Sequence, residues 1–138
     1  MEQRDILKEQ IEQLGRVLGK IISKFLDLKA QGNVVQNIQE TNQQFKSELD
    51  LDIDKLLTLP KVDLADYVAK KKLNSDHLVQ LVDYVEIIGE HQSDTAEKAN
   101  AFNRALDLLE IANAQSDTYD MSRQFKAKEI SNKIQKLT

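Results

Sequence analysis

The fold of this chain is decided by residues 7–28, which read LKEQIEQLGRVLGKIISKFLDL. Apolar residues recur along this stretch at alternating intervals of four and three, at Leu7, Ile11, Leu14, Leu18, Ile21, Phe25 and Leu28. This spacing places them on one face of an α-helix as a heptad seam. Val17, Ile22 and Leu26 widen the face, so we expect more than one neighbouring segment to pack against it.

A short turn follows this helix and leads into a second one. Gly32 suits the left-handed conformation that ends many helices, and the next helix is predicted from about Val34 to Glu48. The short link predicts an antiparallel hairpin. A helix of about 28 residues spans roughly 42 Å, whereas one of about 16 residues spans roughly 24 Å. The N-terminal half of the first helix must therefore pack on later helices or on a second chain.

The remaining sequence predicts short helices and then three longer ones. Asp52 is the expected N-cap of a helix over Ile53–Leu59 that Pro60 stops, and Val62–Lys71 forms the next. The three longer helices open at Asn74, at Ser93-Asp94 and at Ser116-Asp117. We expect inward faces to include Val35, Ile38, Phe45 and Leu49 on the second helix, and Phe125, Ile130, Ile134 and Leu137 on the last.

Composition excludes several classes of protein. The chain has 138 residues, of which 41% are hydrophobic, and this is enough for one core. The absence of cysteine excludes disulfides and thiolate metal sites. No signal-like N-terminus or apolar run of about 18 residues occurs, so we expect no membrane span and a cytoplasmic location. A net charge of −4 makes nucleic acid an unlikely partner.

Two segments resemble known families. The stretch Phe102–Ile134, with its Leu-rich first helix, short polar turn and Tyr119 at the start of the next helix, resembles tetratricopeptide-like helix pairs. The segments EQLGRVLGKIISKFLDLKAQG (12–32) and FKSELDLDIDKLL (45–57) resemble a family of small uncharacterised bacterial proteins. That second resemblance implies a bacterial cytosolic helical protein and supplies no catalytic residue.

These observations predict one all-α domain over residues 1–138, built from stacked antiparallel helix hairpins. Residues 1–49 form the long N-terminal hairpin and residues 50–73 form short helices. Residues 74–138 form tetratricopeptide-like helices in a short array.

Two groups of residues suggest metal binding at first sight. Asp50, Asp52 and Asp54 have the spacing that opens a calcium loop, but lysine follows where that loop needs glycine, so helix capping is the better interpretation. Glu86 and Glu90 share a helix face and His91 follows, without the paired Glu-x-x-His of di-iron bundles. We expect His91 to lie at a helix C-terminus.

Glycine and lysine patterns also have structural interpretations. Gly15 and Gly19, four apart inside a helix, predict the close approach of a neighbouring helix. The last helix is basic, carrying Arg123, Lys126, Lys128, Lys133 and Lys136, and we expect these side chains to form a solvated face.

Two functions of different class follow. The first is a non-enzymatic interaction or scaffold protein, without a cofactor, that binds a protein partner or forms a homodimer through Leu7, Ile11, Leu14 and Leu18. The alternative is a small helical-bundle enzyme or metal- or ligand-binding protein that uses Glu86, Glu90 and His91. The absence of any catalytic motif favours the first.

Overall fold

The computed structural model describes residues 2–116, 118 and 120–137, with side chains from Leu7 onward. The described residues are helical without strands, which confirms the all-α prediction. The helices are α1 (Glu2–Lys29), α2 (Val34–Leu49), α3 (Ile53–Thr58), α4 (Lys61–Lys70), α5 (Ser75–Glu90), α6 (Thr95–Gln115) and α7 (Met121–Gln135). Their packing is consistent with stacked hairpins.

The first two helices form the predicted hairpin with unequal arms. Gly32 adopts φ +100° at the turn, a conformation that strains residues with a Cβ. The Asn37 side-chain amide donates to the carbonyls of Leu28 and Gly32 at 3.3 and 3.0 Å, which ties α2 to the end of α1. Because α1 is unbroken over 28 residues and α2 has 16, the N-terminal half of α1 extends past the end of α2.

Helix α5 lies at the centre of the molecule and packs against α1 and α6. Its Tyr84 ring is fully buried and meets Phe25 of α1 edge-on at 5.0 Å and Phe45 of α2 at 5.2 Å. The Tyr84 hydroxyl donates to the Asn42 side-chain oxygen at 2.6 Å, so its polar end is satisfied. The core therefore joins the N-terminal hairpin to the C-terminal helices.

Most of the predicted helix starts are confirmed, and one is wrong. Asp52 accepts the backbone N–H groups of Asp54 and Lys55, and Asn74 accepts the N–H of His77. The last helix begins at Met121, where Asp120 caps it by accepting from Ser122, and not after Ser116-Asp117. Ser116 instead ends α6, with its N–H bonded to the Ala112 carbonyl. Asp117 and Tyr119 lie outside the described residues.

Two predicted inward residues face outward. Phe125 is 65% exposed. Helix α7 packs through Arg123 and Ile130, and Phe125, two positions after Arg123, lies about 200° around the helix and so faces away from the core. Val35 is 61% exposed, because the neighbouring Val34 takes the inward position in the first turn of α2. Ile38 and Phe45, also predicted to face inward, are buried.

Candidate functional site

The four residues predicted to mediate interactions divide into an exposed and a buried group. Leu7 and Ile11 are 49% and 39% exposed, and Leu14 is half-buried. Leu18 is fully buried within the core of its own chain, so it drops out of the predicted interaction surface. We call Leu7, Ile11 and Leu14 the projecting stripe.

An open groove runs beside the projecting stripe. It is lined along α1 by Gln10, Gln13, Leu14 and Val17 among others, and it begins at Glu48 and Leu49, where α2 ends. The groove is therefore the continuation of the path that α2 occupies along the C-terminal half of α1. A further helix is the shape of partner that this groove fits.

One side chain of α5 anchors the projecting stripe from the opposite side. The His77 ring is 3% exposed, and its Nε2 lies 3.0 Å from the backbone carbonyl oxygen of Ile11. Its Nδ1 accepts the backbone N–H of Asn74 at 3.0 Å, which completes a capping box with Asn74. Since Nδ1 accepts, the proton is on Nε2, and Nε2 donates to the Ile11 carbonyl.

The environment of His77 favours the neutral ring. Burial lowers the pKa of His77, against the opposing effects of the hydrogen bond to Ile11 and of the charge on Asp76. Both ring nitrogens are already used, one as donor and one as acceptor. A second ring proton would point at the N–H of Asn74, where no acceptor lies. Protonation is therefore incompatible with this arrangement.

The alternative site is an ion-pair cluster. Glu86 is 4% exposed, and its two carboxylate oxygens accept from Lys126 at 3.0 Å and from Lys133 at 2.7 Å. Lys133 also pairs with Glu90. His91 is an exposed residue at the C-terminal end of α5, as predicted, and has no part in this cluster among the described contacts.

The cluster corrects the prediction of a solvated basic face on the last helix. Lys126 and Lys133 face the carboxylates of α5, and Arg123 is buried with hydrogen bonds to Asn113 and to the Thr118 carbonyl. Although burial lowers the pKa of Lys126, its hydrogen bonds with surrounding carboxylates raise it above the usual range, and the same balance holds for Lys133. Both lysines stay charged and neutralise Glu86.

The chemistry of this cluster suits fastening of one helix to another. Two ammonium groups occupy the oxygens of Glu86 that a metal ion would need. Over the part of the chain that the structure describes, no three His, Asp or Glu side chains are grouped so as to hold a metal ion. The arrangement therefore joins α5 to α7 by charge.

The acidic triplet is also explained by local structure. Asp52 caps α3, as the sequence predicts, and Asp50 forms an ion pair with Lys71 at 3.0 Å. The hydrogen bond and the charge of Lys71 lower the pKa of the exposed Asp50 carboxyl. These aspartates therefore serve capping and pairing.

Sequence reasoning missed His77 and the two lysine partners of Glu86. A local signal existed for His77, which stands three residues after Asn74 at the position where a capping box usually has Glu or Gln. No local signal existed for Lys126 and Lys133, which lie 40 and 47 residues from Glu86.

No protein-family model, curated protein or solved structure matches this chain. The resemblances to tetratricopeptide-like helix pairs and to a bacterial family therefore stay predictions. Of the described helices, none has both the length and the apolar character that crossing a bilayer requires.

Proposed function

We propose that this chain is a non-enzymatic interaction protein that self-associates through the projecting stripe of α1. The observation that carries the proposal is the exposure of Leu7 and Ile11 on an unbroken helix that extends past its partner α2. Apolar residues at heptad spacing on one exposed helix face are typical of helix–helix association.

A second copy of the same chain is the occupant that best fits the stripe. Closed two-fold dimers are the commonest soluble oligomers, and an isologous contact uses the same surface on both subunits. Along α1 the exposed Glu9 and Glu12 precede the exposed Arg16 and Lys20. Two antiparallel α1 helices place the acidic pair of each copy towards the basic pair of the other, whereas parallel helices would align like charges.

The size of the surface sets the expected strength. The described stripe has three apolar side chains, whereas a stable protein interface buries about 1,600 Å² in total. We therefore expect a weak dimer whose population rises with concentration in the micromolar range.

The test is light scattering across a concentration series with a matched pair of variants. Ile11→Asp places a charge in the projecting stripe, and we expect it to abolish the dimer while circular dichroism stays helical. Val35→Asp makes the same change at an exposed valine of α2, outside the stripe, and we expect it to dimerise like the parent chain.

A parent chain that is monomeric up to several hundred micromolar would contradict the proposal. Equal dimerisation of the parent and Ile11→Asp would instead show that the copies associate through another surface. Because the chain has no cysteine, single-cysteine variants also test the arrangement. When Ile11→Cys and Leu14→Cys are mixed, antiparallel helices are expected to form a disulfide between position 11 of one copy and position 14 of the other.

A further inference from the structure

We infer that His77 is a positioning residue for the projecting stripe and that it makes self-association dependent on pH. The inference rests on the proposed dimer, because it concerns how the dimer surface is held and when it is released. It goes beyond that proposal by naming a residue outside the surface and the condition that controls it.

His77 contacts α1 within the projecting stripe. Its hydrogen bond ends on the backbone carbonyl of Ile11, the central residue of the projecting stripe. Of the side-chain hydrogen bonds given above between α1 and other helices, this one lies nearer to the N-terminus of α1. Side chains of α5 next approach α1 at Gly15 and Gly19. His77 therefore supports α1 close to the point where α2 stops packing against it.

A neutral histidine ring fits between α1 and the start of α5. Gly15 stands one turn after Ile11, and a Cβ on it would lie 3.4 Å from His77 Nε2. The ring therefore lies against Gly15, and the second lone pair of the Ile11 carbonyl oxygen accepts the hydrogen bond from Nε2 in addition to the helix hydrogen bond. The neutral ring then bridges two backbones, with one nitrogen on Ile11 and the other on the N–H of Asn74.

A second proton on the His77 ring disrupts this bridge. A protonated ring has two donors and no acceptor, so the contact between Nδ1 and the Asn74 N–H becomes donor against donor. The capping box opens, and the ring moves towards solvent, away from α1. The segment around Ile11 then loses the side chain that holds it against α5, and the helix surface that the second copy needs frays.

Charged side chains surround His77 on α5, on α1 and in the turn before α5. Asp76 precedes it on α5 and acts on the ring by its charge. Across from it, Lys8, Glu12 and Arg16 flank Ile11 and Gly15 on exposed positions of α1, and the exposed Lys72 precedes α5. Of the residue types around this contact, histidine is the one suited to change its charge between pH 5.5 and 7.5.

The sign of the effect follows from the direction of the shift. Burial lowers the pKa of His77 in the docked state, so the ring released into solvent binds protons more readily. Acidification therefore favours the released ring and weakens the dimer. Each dimer contains two such rings, and we expect the dissociation constant to rise by roughly tenfold or more between pH 7.5 and 5.5.

The experiment compares the two histidines of the chain. Dimer dissociation constants are measured by sedimentation equilibrium at pH 7.5 and 5.5 for the parent chain, His77→Gln and His91→Gln. His91 lies exposed at the opposite end of α5, so His91→Gln is the matched control and should keep the pH dependence. We expect His77→Gln to bind with the same constant at both pH values, weaker than the parent at pH 7.5.

A parent dimer with the same dissociation constant at both pH values would overturn this inference and leave the proposed self-association standing. Loss of the pH dependence in His91→Gln, with its retention in His77→Gln, would also overturn it.

A parent chain that never dimerises defeats the proposed function, and a second measurement then decides the role of His77. Imidazole ¹⁵N shifts report its protonation, and amide exchange reports the order of residues 7–14. Protection factors, which correct the exchange rates for their intrinsic dependence on pH, are compared across the titration. A fall in the protection of these amides as His77 gains its proton supports the positioning role. Protection that stays constant through the His77 titration overturns it, and this measurement also serves if His77→Gln does not fold.

Discussion

At the scale of single residues, Gly89 of α5 is the most crowded of the described glycines. A Cβ built there would lie 2.7 Å from the Phe102 ring of α6, and that ring is itself buried. The two glycines that the sequence singled out are less crowded, since a Cβ would lie 3.4 Å from the nearest atom at Gly15 and 3.6 Å at Gly19. These are ordinary contact distances for Gly19, so its lack of a side chain is not forced by packing.

Alanine substitutions at these glycines should have opposite effects on stability. Gly89→Ala forces a methyl group into the buried Phe102 ring, and we expect it to lower the free energy of unfolding by about 1–3 kcal/mol. Gly19→Ala adds a better helix former without a clash, and we expect a gain of up to about 1 kcal/mol. Urea denaturation of both variants measures the difference. A Gly89→Ala variant as stable as the parent would show that the two helices separate at little cost.

At the scale of elements, α7 is held differently from the other long helices. Its buried residues among the described ones are Arg123 and Ile130, with Ala127 and Ile134 partly buried against the core, whereas α5 contributes an almost continuous apolar surface. Lys126 and Lys133 add a charged attachment, through Glu86 and its acidic neighbours. Lys126 contacts Asp83 and Glu86, and Lys133 contacts Glu86 and Glu90 further along α5, which means that α7 runs parallel to α5.

Neutralising Glu86 should loosen this helix. Glu86→Gln keeps the size of the side chain but removes the buried carboxylate that two partly buried ammonium groups share, and we expect a loss of about 2 kcal/mol. Glu129→Gln removes a carboxylate that also pairs with Lys126 but is about half exposed, and we expect a change below about 1 kcal/mol. Denaturation curves give both values.

Hydrogen exchange provides a second readout of the same pair of variants. We expect amides of α7 to exchange faster in Glu86→Gln than in Glu129→Gln, because the loosened attachment lies between α5 and α7. Equal stability and equal exchange in the two variants would show that Ile130 and its apolar neighbours hold α7 without the charges.

At the scale of the whole molecule, the core and the proposed contact surface occupy different halves of α1. Ile21 and Phe25 in the C-terminal half are enclosed by the rest of the chain, whereas Leu7 and Ile11 remain exposed. Stability and self-association should therefore be separable by truncation.

Deletion of residues 1–9 should separate the two properties. The described side chains that it removes, Leu7, Lys8 and Glu9, are exposed, so we expect the melting temperature to fall by less than about 5 °C. The dimer should be lost, because Leu7 and the acidic residue Glu9 leave with the segment. Differential scanning calorimetry and light scattering measure the two outcomes. If the shortened chain shows no cooperative unfolding transition, the deleted residues belong to the core.

The sequence by itself determined the helices and the unequal hairpin. Heptad spacing, the N-caps Asp52 and Asn74, and the turn at Gly32 are local signals, because they act between residues a few positions apart. The excess length of α1 over α2, and with it the projecting stripe, follows from counting residues along these helices.

Only the tertiary structure decided which parts of each helix face are buried. Leu18 and Ile11 have the same heptad character, yet one is enclosed and the other exposed, because neighbours distant in sequence cover only the first. His77 meets Ile11 across 66 positions of the chain, and Lys133 meets Glu86 across 47. Such contacts depend on how whole helices pack in space, and periodicity within one helix carries no information about its partner.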